Sequence, residues 1–170
     1  HNDLTDLERR LQAMAGQPGS VVVLSESLFS MEGTSPDVAA LAALCQRFGA
    51  DLLMDEAHAL GVLGQAGRGL CFGIEPVRLI SGTFGKAFGS GGAFLACDAD
   101  LGDALLQTSG AFRYTTALAP PLVAGAQVAL DLIRSHPHWS QQLQQRASHW
   151  RDALVGQGWT RPAGMGPVLP

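Results

Sequence analysis

Three short apolar runs, separated by longer helical patterns, most constrain the fold of this chain. The runs are Val21-Val22-Val23-Leu24, Asp51-Leu52-Leu53-Met54 and Val77-Arg78-Leu79-Ile80. A short run that is apolar throughout is typical of a strand covered on both faces, and alternating strands and helices favour a parallel sheet. We therefore predict an α/β fold in which a mostly parallel sheet lies between helices.

The remaining elements follow from spacing and start signals. Helical patterns cover residues 4–14, 38–48, 98–107, 120–134 and 139–155. Thr5-x-x-Glu8 predicts a capping box, and Ser35-Pro36-Asp37 predicts a helix start with proline in the first turn. Gly92–Ala96 predicts a fourth strand, antiparallel to the third because the connection is too short for a crossover helix.

Composition excludes several functional classes. The chain has 170 residues, 46% of them hydrophobic, and a formal net charge of -4. It suits one domain and offers no basic surface for nucleic acid, and no apolar run is long enough to span a membrane. Cys45, Cys71 and Cys97 lie too far apart for a structural zinc site or a disulfide framework. The first residues lack the features of a secretory signal, so a reducing cytoplasm is the expected compartment.

Two chemically useful residues follow predicted strands directly. Asp55 follows the second strand, and Lys86 lies just after the third, so both are expected at the carboxyl edge of the sheet. An amine there can hold the aldehyde of pyridoxal 5'-phosphate (PLP) as a Schiff base, and a carboxylate can keep its ring nitrogen protonated. His58 is predicted to reach the phenolic oxygen and Thr83 the phosphate. Phe84 and Phe88 predict the apolar setting that a reactive lysine requires.

Other interpretations of these residues are weaker. Asp55-Glu56-Ala57-His58 spells a helicase motif, but Gly85-Lys86 lacks the first glycine and the hydroxyl of a phosphate loop. His58 beside two acids is not a ligand set, so no metal is predicted. On residue types alone, a surface lysine in a glycine-rich loop and an aspartate in a turn also remain open.

Four segments resemble the α-oxoamine synthases, PLP-dependent enzymes of fold type I, in order and spacing. They are Glu26-Ser27-Leu28-Phe29-Ser30-Met31-Glu32-Gly33, Asp55-Glu56-Ala57-His58-Ala59-Leu60-Gly61, Gly67-Arg68-Gly69 and Gly82-Thr83-Phe84-Gly85-Lys86-Ala87-Phe88-Gly89. His1-Asn2-Asp3 and Tyr114-Thr115-Thr116-Ala117-Leu118 are also similar to that family's pattern. Together they cover nearly the whole chain.

The resemblance implies a role for each site residue. Catalytic roles fall to Lys86, which forms the Schiff base, to Asp55 and to His58. The cofactor-binding residues are Lys86, Asp55, His58, Ser30, Thr83, Thr115 and Thr116. Of these, Ser30 would contact the phenolic oxygen, and the two threonines 115 and 116 would reach the phosphate of the neighbouring subunit in a homodimer. Without the resemblance, both threonines are interpreted as strand residues.

The resemblance also implies substrates. Family members condense an amino acid with an acyl thioester, most with loss of carbon dioxide. The histidine loop and the Gly-Arg-Gly loop are most similar to the branch that serves biotin synthesis and uses L-alanine with a pimeloyl thioester, carried by coenzyme A or a carrier protein. Met31-Glu32-Gly33-Thr34 instead resembles serine palmitoyltransferase, because members of the biotin branch commonly have aspartate at the position of Thr34. Glycine C-acetyltransferase, 5-aminolevulinate synthase and a non-catalytic assembly subunit are the further alternatives.

Relative to the family pattern, the chain is expected to be a fragment. Residues 1–160 would form part of the PLP-binding large domain, and residues 161–170 would begin a truncated small C-terminal domain. The absent N-terminal part carries the aromatic residue that stacks on the cofactor. The isolated chain is therefore expected to be inactive.

Overall fold

The sheet has four strands in the order in which they occur in the chain. The computed structural model describes all 170 residues. The strands are β1 (Val22–Glu26), β2 (Asp51–Asp55), β3 (Val77–Thr83) and β4 (Ala93–Cys97). The first three are parallel, and β4 is antiparallel to β3. The predicted α/β class, the mostly parallel sheet and the antiparallel fourth strand are confirmed.

Six helices and one 3-10 turn complete the fold. They are α1 (Leu4–Met14), α2 (Val38–Arg47), the 3-10 turn (Gln65–Gly67), α3 (Ala99–Thr108), α4 (Gly110–Arg113), α5 (Pro120–Ser135) and α6 (Trp139–Gly156). None of these helices has both the length and the apolar character needed to cross a bilayer.

Both predicted helix starts were wrong in detail. Asp3 caps α1 by accepting a hydrogen bond of 2.9 Å from the backbone N–H of Asp6, so no Thr5-x-x-Glu8 box forms. Asp37 caps α2 by accepting from the N–H of Ala40 at 3.0 Å, which leaves Pro36 before the helix. In both places a short carboxylate satisfies a free N–H of the first turn more directly than the predicted residue.

Strand β3 runs three residues further than its apolar run. Ser81, Gly82 and Thr83 pair with Leu95, Phe94 and Ala93 of β4. The backbone ladder holds these residues extended although their side chains give no apolar signal, and the strand therefore ends at Thr83.

The main core lies between α2 and one face of the sheet. Leu52 and Met54 of β2 are fully buried with Leu41 and Cys45 of α2. Burial of each such side chain stabilises the fold by about 1.5–3 kcal/mol. Because side chains alternate along a strand, this core directs Asp55 to the opposite face.

The opposite face is covered unevenly. Near β4 it is bordered by Ala111 and Phe112 of α4, whereas Leu24 of β1 is 74% exposed. The helical layers that were predicted therefore cover one face and part of the other. The three cysteines are free thiols.

The last ten residues pack back onto α6 and the loop after β1. The buried guanidinium of Arg151 donates to the carbonyls of Gly166 and Val168 at 2.8 and 2.6 Å. The N–H of Met165 donates to the carbonyl of Gly33 at 3.0 Å. These contacts fix the tail, and the predicted domain boundary at residue 160 stays a prediction.

Candidate active site

The strand register brings three polar side chains into one row. Glu26, Asp55 and Ser81 are partners across the neighbouring parallel strands β1, β2 and β3. Asp55 is exposed and accepts a hydrogen bond of 2.7 Å from the backbone N–H of Ala57 through Oδ1. Its carboxylate forms no salt bridge, so the other oxygen is available to a ligand.

Asp55 lies in a cavity of about 500 Å³, here called the Asp55 cavity. Thr83, Thr115 and Thr116 also line it. The hydroxyl of Thr83 donates to the carbonyl of Gly92 at 3.1 Å and accepts from the N–H of Gly85 at 3.1 Å. Thr83 must therefore release that carbonyl before it can donate to a phosphate.

The placement of Thr115 and Thr116 corrects one prediction and leaves another open. Both are exposed in the irregular segment between α4 and α5, so they are not strand residues. This segment follows α4 directly, and it lines the same cavity as Ala93, Phe94 and Leu95 of β4 without pairing to that strand. Within one chain they already lie beside Asp55, and their reach into a neighbouring subunit stays a prediction.

Lys86 and His58 line a second cavity of about 840 Å³, here called the Lys86 cleft. Phe88 and Ile133 form part of its apolar wall. Lys86 itself is exposed and has no ion-pair partner, so the apolar setting predicted for it is only partly present. Phe84 and Phe88 pack edge to face across the loop, with ring centroids 5.3 Å apart.

His58 connects the two cavities electrostatically. Burial lowers the pKa of its imidazole below the usual value, and the positive charge of Lys86 lowers it further. The negative charges of Glu26 and Asp55 act in the opposite direction. The pKa of His58 therefore depends on the charges of both Lys86 and Asp55. In its neutral form the imidazole can donate a hydrogen bond from one ring nitrogen and accept one at the other.

Ser30 is a predicted site residue in the loop after β1. It is exposed, and its backbone N–H donates to Oε2 of Glu26 at 3.1 Å. It lines neither the Asp55 cavity nor the Lys86 cleft. Sequence reasoning missed Glu26 as a site residue, although Glu26 ends β1 as Asp55 ends β2.

Sequence reasoning also missed the supporting role of Glu56. Its carboxylate is only 1% exposed and accepts hydrogen bonds from the N–H groups of Leu70 and Cys71, at 3.0 and 3.1 Å. Burial, and then the charge of Glu56, raise the pKa of the Cys71 thiol. The only signal in the sequence is an acid between a strand and a glycine-rich loop.

Comparison with known proteins places these residues in a family. The sequence profile described as "Aminotransferase class I and II" matches residues 1–169. An 8-amino-7-oxononanoate synthase from Gluconacetobacter diazotrophicus is 40% identical over 170 residues, which are 100% of this chain and 43% of that protein. The corresponding enzyme of Chromohalobacter salexigens is 43% identical and covers 89% of this chain and 40% of its own length.

Solved structures of a different enzyme share the fold of this chain. Serine palmitoyltransferase from Sphingomonas wittichii superposes with a TM-score of 0.89 at 25% identity, over 98% of this chain and 42% of its own. A serine palmitoyltransferase from S. paucimobilis, solved with a bound PLP-myriocin aldimine, gives 0.86 at 26% identity, over 94% of this chain and 42% of its own. The chain thus spans less than half the length of these relatives.

Proposed function

Because the chain belongs to the class I and II aminotransferase family, and within it to the PLP-dependent α-oxoamine synthases, we propose that the protein joins an amino acid to an acyl thioester with loss of carbon dioxide. L-alanine and a pimeloyl thioester are the favoured substrates, giving 8-amino-7-oxononanoate for biotin synthesis. The relatives from G. diazotrophicus and C. salexigens, which carry that enzyme name, support this choice.

One observation carries the proposal. An unpaired carboxylate ends β2 and an unpaired amine follows the neighbouring strand β3, and the charges of both influence the pKa of the His58 imidazole. Asp55 and Lys86 have no salt bridge that would compete with a cofactor. The donor set therefore fits PLP, which needs an amine, a carboxylate, a hydrogen-bonding partner for its phenolic oxygen and phosphate ligands.

Each residue has a defined task. When bound, PLP supplies an aldehyde and a pyridine ring that withdraws electrons from the α-carbon of the substrate. Lys86 would hold that aldehyde through Nζ, and Nζ as a free, neutral amine would accept the α-proton of the substrate. Asp55 would keep the ring nitrogen protonated, and His58 would donate to the phenolic oxygen. Thr83 would bind the phosphate with Thr115 and Thr116, and Ser30 would contact the phenolic oxygen together with His58.

We propose a homodimer in the cytoplasm as the working state. Thr115 and Thr116 are exposed on an irregular segment, which suits a contact with a second subunit. The free thiols of Cys45, Cys71 and Cys97 suit a reducing compartment. The isolated chain is proposed to bind PLP weakly and to turn over little substrate, since it spans under half of its relatives.

A second candidate is a serine-using member of the family. Thr34, the residue that departs from the biotin branch, accepts or donates a hydrogen bond of 2.7 Å with the imidazole of His1. The solved serine palmitoyltransferases support this alternative.

The test uses the full-length protein. It is supplied with PLP and then separately with alanine, glycine or serine, and the absorption spectrum of the cofactor is recorded. We expect alanine to change the spectrum and to give product with a pimeloyl thioester. Product from serine or glycine alone would contradict the biotin assignment.

The substitution Lys86→Ala tests the proposed attachment. We expect the variant to lose the covalently held yellow chromophore and all measurable turnover, because no other amine lies at the end of β3. Retention of the chromophore after denaturation and gel filtration would contradict the role of Lys86. An unaltered melting temperature would exclude misfolding as the cause.

A further inference from the structure

Gly61 lies where the segment that carries His58 meets the segment that carries Lys86, and the function proposed above gives it no role. It follows His58 in the turn that begins at Glu56, whose carbonyl accepts two backbone hydrogen bonds of 3.0 and 2.9 Å. It also lines the Lys86 cleft together with His58 and Lys86. The packing of Gly61 can therefore act on the separation of these two side chains.

Gly61 approaches the loop after β3 so closely that no side chain fits between them. A Cβ at position 61 would lie 2.7 Å from the Cβ of Ala87, the residue that follows Lys86. Carbon atoms in contact are about 3.5–4.0 Å apart, so an added methyl group would require a displacement of about 1 Å. The Cβ of Ala87 is bonded directly to the backbone, so rotation of a side chain cannot relieve the overlap.

The glycine-rich loop before β3 holds Gly61 in place. The N–H of Gly61 donates to the carbonyl of Gly67 at 2.7 Å, and a Cβ at Gly67 would lie 3.1 Å from the carbonyl carbon of Gly61. The same loop is fixed by the buried carboxylate of Glu56, which accepts from the N–H groups of Leu70 and Cys71. A larger residue at position 61 would therefore displace the loop that follows β3.

That loop transmits a displacement of Ala87 to Lys86. The N–H of Gly89 donates to the carbonyl of Lys86 at 2.9 Å, and the N–H of Ser90 donates to the carbonyl of Phe84 at 2.8 Å. These hydrogen bonds close the loop into a turn in which neighbouring residues shift together. The contact at position 61 thus sets where the backbone of Lys86 lies.

We propose that Gly61 is a positioning residue: its close packing against Ala87 sets where the amine of Lys86 lies relative to the other site residues. This role rests on the proposed function, because that function assigns the chemistry of Lys86. Gly61 has no side chain with which to bind a substrate, and it acts only through its neighbour. The geometry of reacting groups is critical, since a misplacement of about 1 Å can cost about 100-fold in rate.

Gly16→Ala is the matched control for Gly61→Ala. Both glycines have φ of 79°, which a residue with a side chain rarely adopts, so both substitutions strain the backbone alike. A Cβ at Gly16 would meet nothing within 4 Å beyond its chain neighbours, whereas one at Gly61 would overlap Ala87. The two variants therefore share the backbone strain and differ in the contact.

Steady-state kinetics of the full-length, PLP-loaded protein test the role directly. We expect Gly61→Ala to lower kcat roughly 100-fold, the usual cost of a displacement of about 1 Å, with KM for the thioester nearly unchanged. Gly16→Ala should keep the wild-type kcat. Ala87→Gly removes the overlapping methyl group, so in that background Gly61→Ala should lower kcat by a much smaller factor than in the wild type.

NMR spectroscopy supplies a second measurement that needs neither cofactor nor turnover. In the PLP-free, full-length wild type, the isotope-labelled methyl group of Ala87 should show a nuclear Overhauser effect to the α-protons of Gly61. In Gly61→Ala the ring resonance of His58 should titrate at a changed pH, because the charge of Lys86 acts on the pKa of His58. Gly16→Ala should titrate like the wild type. Absence of the Overhauser effect in the wild type would overturn the inference, whether or not Gly61→Ala folds.

The outcomes separate this role from the proposed function. If no amino acid condenses with any thioester, the proposed function fails, while the Overhauser effect and the titration of His58 still decide the position of Lys86. If condensation occurs and Gly61→Ala loses no more activity than Gly16→Ala, Gly61 has no positioning role. An equal loss in the wild-type and Ala87→Gly backgrounds would assign the effect to backbone strain and would also overturn the inference.

Discussion

Asp55 and Glu56 are adjacent carboxylates with opposite surroundings. Asp55 is exposed in a cavity at the edge of the sheet, whereas Glu56 is 1% exposed beneath the loop that follows. Asp55 accepts one backbone hydrogen bond from its own turn, and Glu56 accepts two from Leu70 and Cys71. The alternation at a strand end thus leaves one acid accessible to a ligand, whereas its neighbour supports the loop.

The largest expected effect on activity comes from a substitution of Asp55. We expect Asp55→Asn to lower kcat of the full-length protein by roughly 10²- to 10³-fold, the usual effect of removing one electrostatic partner of the reacting centre. The melting temperature should remain nearly constant, because the amide oxygen of asparagine can still accept from the N–H of Ala57. Steady-state rates and a thermal melt check both statements.

Loss of stability without loss of activity in Asp55→Asn would contradict the proposed role of Asp55 in ligand binding. If Asp55→Asn retained full turnover but melted far below the wild type, Asp55 would be a structural residue like Glu56. The contrast between the two acids would then have no functional meaning.

Glu56→Ala is the next largest change, and it acts on stability. The substitution leaves the N–H groups of Leu70 and Cys71 buried without an acceptor, at a cost of about 1–3 kcal/mol for each unsatisfied group. We expect a lower midpoint in urea denaturation. Glu56→Gln is the matched control, since its amide oxygen keeps one acceptor and should lose less.

The thiol of Cys71 reports the same loop independently. Cys71 is buried, and its pKa is raised first by burial and then by the charge of Glu56. It should therefore resist alkylation in the folded wild type, whereas the partly exposed Cys97 should react. Faster labelling of Cys71 in Glu56→Ala is expected, and equal protection in both proteins would argue against loop opening.

The sequence predicts the secondary structure and the candidate site residues better than it predicts the surroundings of each side chain in the folded protein. Apolar runs and strand ends predicted the sheet, its parallel order and the position of Asp55, because these depend on local patterns. Burial of Glu56 depends on backbone N–H groups 14 and 15 residues away, and no local pattern encodes such a contact. For the same reason the separation of Asp55 from Lys86 into two cavities was not predicted.

The smallest expected effect is a change in the pKa of His58, and it tests whether the separated cavities act as one site. Lys86→Met should raise this pKa, because the positive charge of Lys86 lowers it, and Asp55→Asn should lower it. NMR titration of the ring C–H resonance in the PLP-free protein measures both shifts, with Arg9→Ala as the unaffected control. If neither variant moves the resonance, the two cavities are electrostatically independent.

The same lowered pKa gives a pH dependence with a defined sign. The folded protein holds His58 with a pKa below the 6.5 of an ordinary histidine, so the unfolded chain binds this proton more readily. Stability should therefore decrease as the pH falls through 6.5 and level off below the folded pKa. His58→Asn should lose less stability across that window, as measured by urea denaturation at several pH values. Lys86→Met should raise the pKa of His58 in the folded protein and so bring it closer to 6.5. The pH range over which stability decreases should then end at a higher pH than in the wild type. This measurement tests the coupling of the imidazole to the amine without any cofactor.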